Sequence, residues 1–174
     1  LAAHLKANAR AALGDLAGAV PLFRRSIVAA VAASDPHLPA VGHGNLGNAL
    51  RDGGDCDAAL DEYAAALEVE ADPGGRALVE SNRAVALQRL GERSSALQAL
   101  VLQADALEAA QAAADRRVAT LGHAADVALE CEAAAQAAPI LERAQALVEA
   151  DDLAGRAMLC VLRARLAGLR GDDA

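Results

Sequence analysis

The histidines and acidic residues are the side chains that could carry acid–base or metal chemistry, and their spacing favours neither. The four histidines have no partner at metal-ligand spacing or at the spacing of a catalytic triad. They are His4, His37, His43 and His123. The aspartates and glutamates are scattered rather than paired, so nothing meets the geometric requirements of an active site. The sequence therefore predicts a protein that is not an enzyme and that uses no metal and no cofactor.

The three cysteines, Cys56, Cys131 and Cys160, are odd in number and far apart, so they form neither a disulfide framework nor a metal-ligand cluster. Each lies in an apolar helical pattern, where cysteine behaves as a small hydrophobic residue. We therefore expect three reduced thiols packed as core residues, which suits a cytoplasmic protein.

The composition favours helices around a thin core. Alanine accounts for 49 of the 174 residues, and the chain has one Phe, one Tyr and no Trp. Alanine favours helix and lets helices approach closely, but it buries little area. The net charge of −8 and the pI near 4.9 argue against nucleic acid or an anionic membrane as a partner. No membrane-spanning stretch and no signal peptide are visible, and we expect the chain to be a piece of a longer protein.

The stretch 45–67 has the pattern of a helical hairpin. Apolar residues recur at helical spacing before and after Gly54-Asp55. The glycine tolerates the positive φ of a helix end, and aspartate is a favoured N-cap for the helix that follows. One such hairpin cannot bury its apolar face alone, so the pattern should repeat.

The hairpin does recur, at intervals of 37 to 41 residues. Phe23 and Tyr63, the only two aromatic residues, occupy the same position of the first two copies, and Leu100 and Leu141 take that position in the next two. We therefore predict an all-α fold, an α-solenoid of antiparallel helical hairpins with about four and a half repeats. The predicted turns fall at Gly14, Gly54, Gly91, Glu132 and Gly171.

A single repeat domain over 1–174 is predicted, because no linker interrupts the pattern. The repeats span approximately 1–37, 38–74, 75–115 and 116–152, with a half repeat at 153–174. Asp35, Asp72, Asp115 and Asp151 are expected where the second helices end. The predicted helices are 1–13, 16–33, 39–52, 56–70, 75–90, 93–114, 116–131, 133–150 and 153–169.

With the copies aligned, the stretch 45–69 resembles a tetratricopeptide repeat. It carries Leu46-Gly47 in its first helix, Gly54-Asp55 at its turn, and Ala59, Tyr63 and Ala66 in its second helix. The period near 40 exceeds the usual 34 and is similar to the longer repeats of bacterial regulatory and scaffold proteins. The resemblance implies a right-handed superhelix whose first helices line a concave groove, where peptides or partner helices bind.

Transferred by alignment, the groove carries eight polar residues. The four asparagines among them are the only ones in the chain, and asparagine is unfavourable inside helices unless it serves a purpose. Its amide both donates and accepts, which suits gripping a peptide backbone. The eight residues are Asn8, Asn45, Asn48, Arg51, Asn82, Arg89, His123 and Asp126.

Members of the family that hold a peptide's C-terminal carboxylate use lysine and arginine beside asparagines. Asn8 and Asn45 match this pattern, but His4 stands in place of the first lysine. Leu78 and Asn82 stand in place of the later lysine and arginine. We therefore do not expect a carboxylate clamp.

The predicted function is a protein–protein interaction module that binds a peptide or partner helix in the groove and scaffolds or regulates a partner. One alternative is a ligand-sensing regulatory arm of a larger signalling protein. Another is a structural spacer that self-associates through the incomplete C-terminal repeat, whose helix lacks its partner. The apolar face expected to remain open there consists of Met158, Leu159, Leu162 and Leu166.

Overall fold

The computed structural model describes residues 2–35 and 37–171, and within these ranges it contains helices and turns but no strand. The all-α prediction is therefore confirmed. The chain divides into two compact units, 1–90 and 91–174, each of which is described by itself. A single repeat domain over 1–174 stays a prediction.

The first unit holds five helices within its described residues, and each helix contacts the next one along the chain. The first helices of successive repeats also touch, because α1 contacts α3 and α3 contacts α5. Phe23, Leu46 and Tyr63 are its largest fully buried side chains, surrounded by buried alanines. The helices are α1 (Ala2–Ala12), α2 (Leu16–Ala32), α3 (Leu38–Asp52), α4 (Cys56–Val69) and α5 (Pro73–Arg89).

The second unit holds four helices within its described residues. One of them, α7 (Ala114–Glu130), contacts each of the other three, so its buried residues form the middle of the core. Leu121, Leu141 and Leu159 are among the largest fully buried side chains. The helices are α6 (Arg93–Ala109), α7 (Ala114–Glu130), α8 (Ala134–Leu147) and α9 (Leu153–Arg170).

Every turn predicted from the repeat alignment has a left-handed residue at the predicted position. Glu132 replaces the usual glycine and still adopts φ 55°. Asp15 and Asp55 then cap the following helices, accepting hydrogen bonds from Gly18 N at 2.9 Å and Ala58 N at 3.1 Å. The positions are Gly14, Gly54, Gly91, Glu132 and Gly171.

The boundary between α6 and α7 differs from the prediction. α6 ends at Ala109 instead of 114, and α7 begins at Ala114 instead of 116, so the predicted junction between these two helices is wrong. The turn forms around Gln111, which adopts φ 51° without being a glycine. Asp115 consequently lies in the first turn of α7, where a negative charge is favourable.

α9 also corrects two predictions. The apolar face expected to remain open is turned inward, since Leu159, Leu162 and Leu166 are at most 7% exposed and α9 contacts both α7 and α8. Cys160 was expected to pack in the core, but it is exposed, whereas Cys56 is buried. The solvent-facing side of α9 is therefore a different one from the side that the sequence pattern singled out.

Candidate interaction face

The polar residues predicted on α1, α3 and α5 form an almost continuous set on the first unit. These three helices lie side by side, so residues at corresponding positions meet across the helix boundaries. Hydrogen bonds connect α1 to α3 at one end and α3 to α5 at the other. We call this surface the asparagine face and define it as Asn8, Asn45, Asn48, Arg51, Asn82 and Arg89.

At the first boundary, Asn45 of α3 reaches two residues of α1. Its Nδ2 donates to Asn8 Oδ1 at 3.3 Å and lies 3.3 Å from His4 Nε2. An amide nitrogen can only donate, so His4 Nε2 accepts and the imidazole proton resides on Nδ1. That nitrogen lies 3.4 Å from Ser26 Oγ. Asn45 is therefore oriented by two partners on a neighbouring helix.

His4 is a buried support of this arrangement. It is 6% exposed, and its ring packs edge-on against Phe23 with centroids 5.7 Å apart. Burial lowers the pKa of the His4 imidazole below its ordinary 6.5, because removing water disfavours the charged form. A neutral His4 accepts from Asn45, which keeps the carbonyl end of that amide directed away from the ring.

At the second boundary, Arg51 of α3 holds α5. Its Nη1 donates to Asn82 Oδ1 at 3.1 Å, and its Nε donates to Asp52 Oδ1 at 3.0 Å. Arg89 of α5 contacts α3 in turn. Its Nη1 donates to the backbone carbonyl of Arg51 at 2.8 Å and lies 3.6 Å from Asp52 Oδ1. Asp52 therefore lies between two guanidinium groups, and these contacts join α3 to α5.

Asn48 ties the asparagine face to the core. Tyr63 of α4 is fully buried and donates its hydroxyl to Asn48 Oδ1 at 2.8 Å. Burial raises the pKa of the Tyr63 phenol to about 12, since a phenolate at this position would lose its hydration. The neighbouring Gly47 leaves room for the ring, because a Cβ there would lie 2.6 Å from Tyr63 Cε1.

Each amide on this face keeps one end unused within the described residues. The structure assigns no hydrogen bond there to Asn45 Oδ1 or to the Nδ2 groups of Asn8 and Asn82. Asn45 and Asn82 are half-buried and Asn8 is exposed, so all three remain reachable from solvent. The face therefore offers both donors and acceptors in fixed orientations.

The second unit carries the other two predicted residues beside a cavity of about 530 Å³ between α7 and α9. Asp126 forms an ion pair with Arg165 at its rim. The floor is apolar. The Met158 side chain lies over Gly122, and a Cβ at Gly122 would collide with the end of that side chain. Its lining consists of Ala119, Gly122, His123, Asp126, Met158, Val161, Leu162 and Arg165.

The described residues hold no group of three or more His, Cys, Asp or Glu side chains placed to bind a metal ion. Among the helices of these residues, none is both long and apolar enough to cross a membrane.

Comparison with known proteins identifies the fold. No protein-family model matches the chain, and no curated protein matches it. Several solved structures, by contrast, match the chain. The repeats of a Podosopora anserina protein described as a kinesin light chain, with nearly identical TPR-like repeats, superpose with a TM-score of 0.72 at 17% identity, over 99% of this chain and 87% of that one. The fold is of the tetratricopeptide-repeat type.

Two further solved structures agree. A tetratricopeptide repeat protein from Parabacteroides merdae is similar with a TM-score of 0.71 at 19% identity, over 98% of this chain and 59% of that one. BtubC from P. vanneervenii is similar with a TM-score of 0.71 at 19% identity, over 95% of this chain and 70% of that one. These likenesses establish the tetratricopeptide fold.

The tetratricopeptide alignment of the sequence places six predicted residues together on the first unit, and His123 and Asp126 together on the second. It missed the supporting roles of His4 and Tyr63. His4 occurs one helical turn before Asn8, and this spacing was the available signal that both lie on one side of α1. Tyr63 follows the packing pattern, which does not reveal where its hydroxyl points.

Proposed function

We propose that this chain is a protein-interaction module that binds an extended peptide or a partner helix against the asparagine face. The observation that carries the proposal is the set of oriented amide ends that the hydrogen bonds within the face leave unused. Side-chain amides that both donate and accept match the alternating N–H and C=O groups of a peptide backbone. The module acts by binding rather than by catalysis.

The geometry favours an extended segment that crosses the helices. Packed helices lie about 8–10 Å apart, and an extended chain rises about 3.3 Å per residue. Successive helices would therefore meet roughly every third residue of the peptide. Asn45 and Asn82 lie on neighbouring helices, so each can bind a separate peptide group.

The face is ordered before a partner arrives. Asn45 is oriented by Asn8 and His4, and Asn82 is held by Arg51. A side chain that is already ordered loses less conformational freedom on binding, which favours affinity. Asp52 pairs with both Arg51 and Arg89 beside them, so it offsets one of the two guanidinium charges.

The test begins with peptides selected from a phage-displayed library on the immobilised chain. The dissociation constant of a fluorescein-labelled selected peptide is then measured by fluorescence polarisation. Asn45→Ala combined with Asn82→Ala should weaken binding about fivefold to a hundredfold, because each of the two lost hydrogen bonds contributes about 0.5–1.5 kcal/mol. The circular dichroism spectrum should remain that of the wild type.

A matched control changes two exposed residues of the second helices. Arg24→Ala combined with Asp61→Ala should leave the dissociation constant unchanged, since these residues lie on α2 and α4. Undiminished binding by the asparagine double variant would show that the peptide binds elsewhere. The ligand-sensing and spacer alternatives, self-association and a cytoplasmic location stay predictions.

A further inference from the structure

α9 exposes a broad face on the side opposite its buried leucines. Leu153 is 74% exposed and Val161 is 60% exposed; Ala157 and Cys160 are exposed between them, and Ala164 is exposed just after Val161. At 100° per residue these side chains share one side of the helix. We call this surface the α9 outer face and define it as Leu153, Ala157, Cys160, Val161 and Ala164.

A row of arginines runs along one edge of the α9 outer face. Arg156, Arg163 and Arg170 are all exposed and follow one another at seven-residue spacing, which keeps them within about 40° of one another around the helix. α9 contains no acidic residue. This edge is therefore positive on a chain whose net charge is −8.

The corresponding surface of the preceding first helix is covered. The repeat alignment places Val118, Leu121 and Ala125 of α7 where α9 has Ala157, Cys160 and Ala164. The three α7 residues are at most 3% exposed, and α7 contacts helices on several sides. These positions are therefore covered in α7 and exposed in α9.

Contacts between helices in the second unit join arginine to carboxylate. Arg117 Nη2 lies 3.1 Å from Glu108 Oε1, and Arg143 Nη2 lies 2.7 Å from Asp105 Oδ1. These pairs connect α7 and α8 to α6 and show which chemistry this unit uses where helices meet.

The arginines of the α9 row have no such acidic partner among residues 2–35 and 37–171. Arg156 donates to the Ala150 carbonyl at 3.0 Å, and Arg163 and Arg170 form no ion pair within those ranges. Glu142 lines a hollow of about 230 Å³ together with Arg163 and Arg170, which leaves two guanidinium groups for one carboxylate.

We propose that the α9 outer face binds an amphipathic partner helix that carries acidic side chains at seven-residue spacing along the edge facing the arginine row. Its apolar side would cover Leu153 and Val161, and the small residues between them allow a close approach. This surface lies on the second unit and is independent of the asparagine face.

A second copy of this chain is a poor occupant. Two α9 helices packed antiparallel through these faces would bring Arg156 near the other copy's Arg170 and Arg163 near its counterpart. Like charges at such positions repel, so the arginine row opposes antiparallel pairing of α9 with itself. An acidic helix removes that repulsion.

The test uses two synthetic helical peptides of the length of α9, with an alanine and leucine face. One carries glutamates at seven-residue spacing beside that face, and the other carries lysines at the same positions. The glutamate peptide should bind the wild-type chain at least about tenfold more tightly, measured by fluorescence polarisation at low salt. It should also slow alkylation of Cys160, followed by mass spectrometry, since that thiol lies within the face.

Charge reversal locates the site. Arg163→Glu combined with Arg170→Glu should invert the preference between the two peptides, whereas Arg24→Glu combined with Arg25→Glu on exposed positions of α2 should not. Equal binding of both peptides, no binding of the glutamate peptide, or binding that leaves Cys160 alkylation unchanged would each overturn the proposal. Light scattering that reveals a dimer abolished by Arg163→Glu would overturn it as well.

Discussion

Gly47 of α3 lies so close to the Tyr63 ring that an alanine should not fit there. A Cβ on Gly47 would lie 2.6 Å from Tyr63 Cε1, whereas ordinary contacts begin near 3.4 Å. The ring cannot easily yield, because it is fully buried and its hydroxyl donates to Asn48. We therefore expect Gly47→Ala to destabilise the protein although alanine favours helix.

The magnitude follows from two opposing effects. Replacing glycine by alanine inside a helix stabilises by about 1 kcal/mol, whereas overpacking a core costs about 1–3 kcal/mol. The net loss should be about 1 kcal/mol. With Tyr63→Leu the overlap disappears, as in α7 and α8, where Ala125 and Leu141 occupy the corresponding positions and are both buried. In the Tyr63→Leu background, Gly47→Ala should therefore stabilise the protein by about 1 kcal/mol. The coupling energy between the two substitutions is then about 2 kcal/mol.

Urea denaturation followed by circular dichroism measures the four variants of this cycle. Gly44→Ala on the same helix is the matched control, because nothing packed against this helix lies within 4 Å of a Cβ at that position. It should stabilise equally in both backgrounds. If Gly47→Ala also has the same effect in both backgrounds, the packing of Gly47 against Tyr63 does not limit this position and the reasoning fails.

Two titrations follow from the buried groups. Tyr63 is the only tyrosine and the chain has no tryptophan, so phenolate absorbance reports on it alone. Its pKa is raised from 10.0 to about 12 by burial, so its contribution to stability should be complete below pH 10 and lost as the pH rises towards 12. A midpoint near 10 in the folded protein would contradict this. The pKa of His4 is lowered by burial, so its contribution to stability should be complete above pH 6.5 and lost as the pH falls from 6.5 towards the folded pKa. NMR of the His4 ring should give a midpoint below 6.5, and a midpoint at or above 6.5 would refute the assignment.

Helix and turn positions were largely predictable because the repeats reinforce one another. Each predicted turn position is left-handed, including Glu132, which only the alignment identified. The turn at Gln111 was not predictable from local chemistry, because it lies among alanines that favour continued helix. Hydrophobic periodicity alone does not contain the position of this helix end.

The candidate site was partly predictable for a similar reason. The alignment gathers Asn8, Asn45 and Asn82 on adjacent first helices, since equivalent positions of stacked repeats are neighbours. The hydrogen bonds that orient these amides depend on His4 and Arg51, and side-chain directions decide them. The face of α9 that remains exposed was predicted wrongly, because Leu159 and Leu162 pack inward against α7 and α8.

NMR of the chain labelled with ¹⁵N only at asparagine tests the proposed function most directly. The chain has four asparagines, so the spectrum contains a side-chain amide pair from each, and single substitutions assign them. Adding a selected peptide should shift the side-chain amides of Asn45 and Asn82 in proportion to bound peptide, while Arg24→Ala with Asp61→Ala leaves those shifts intact. Saturating peptide that moves neither amide would contradict binding at the asparagine face.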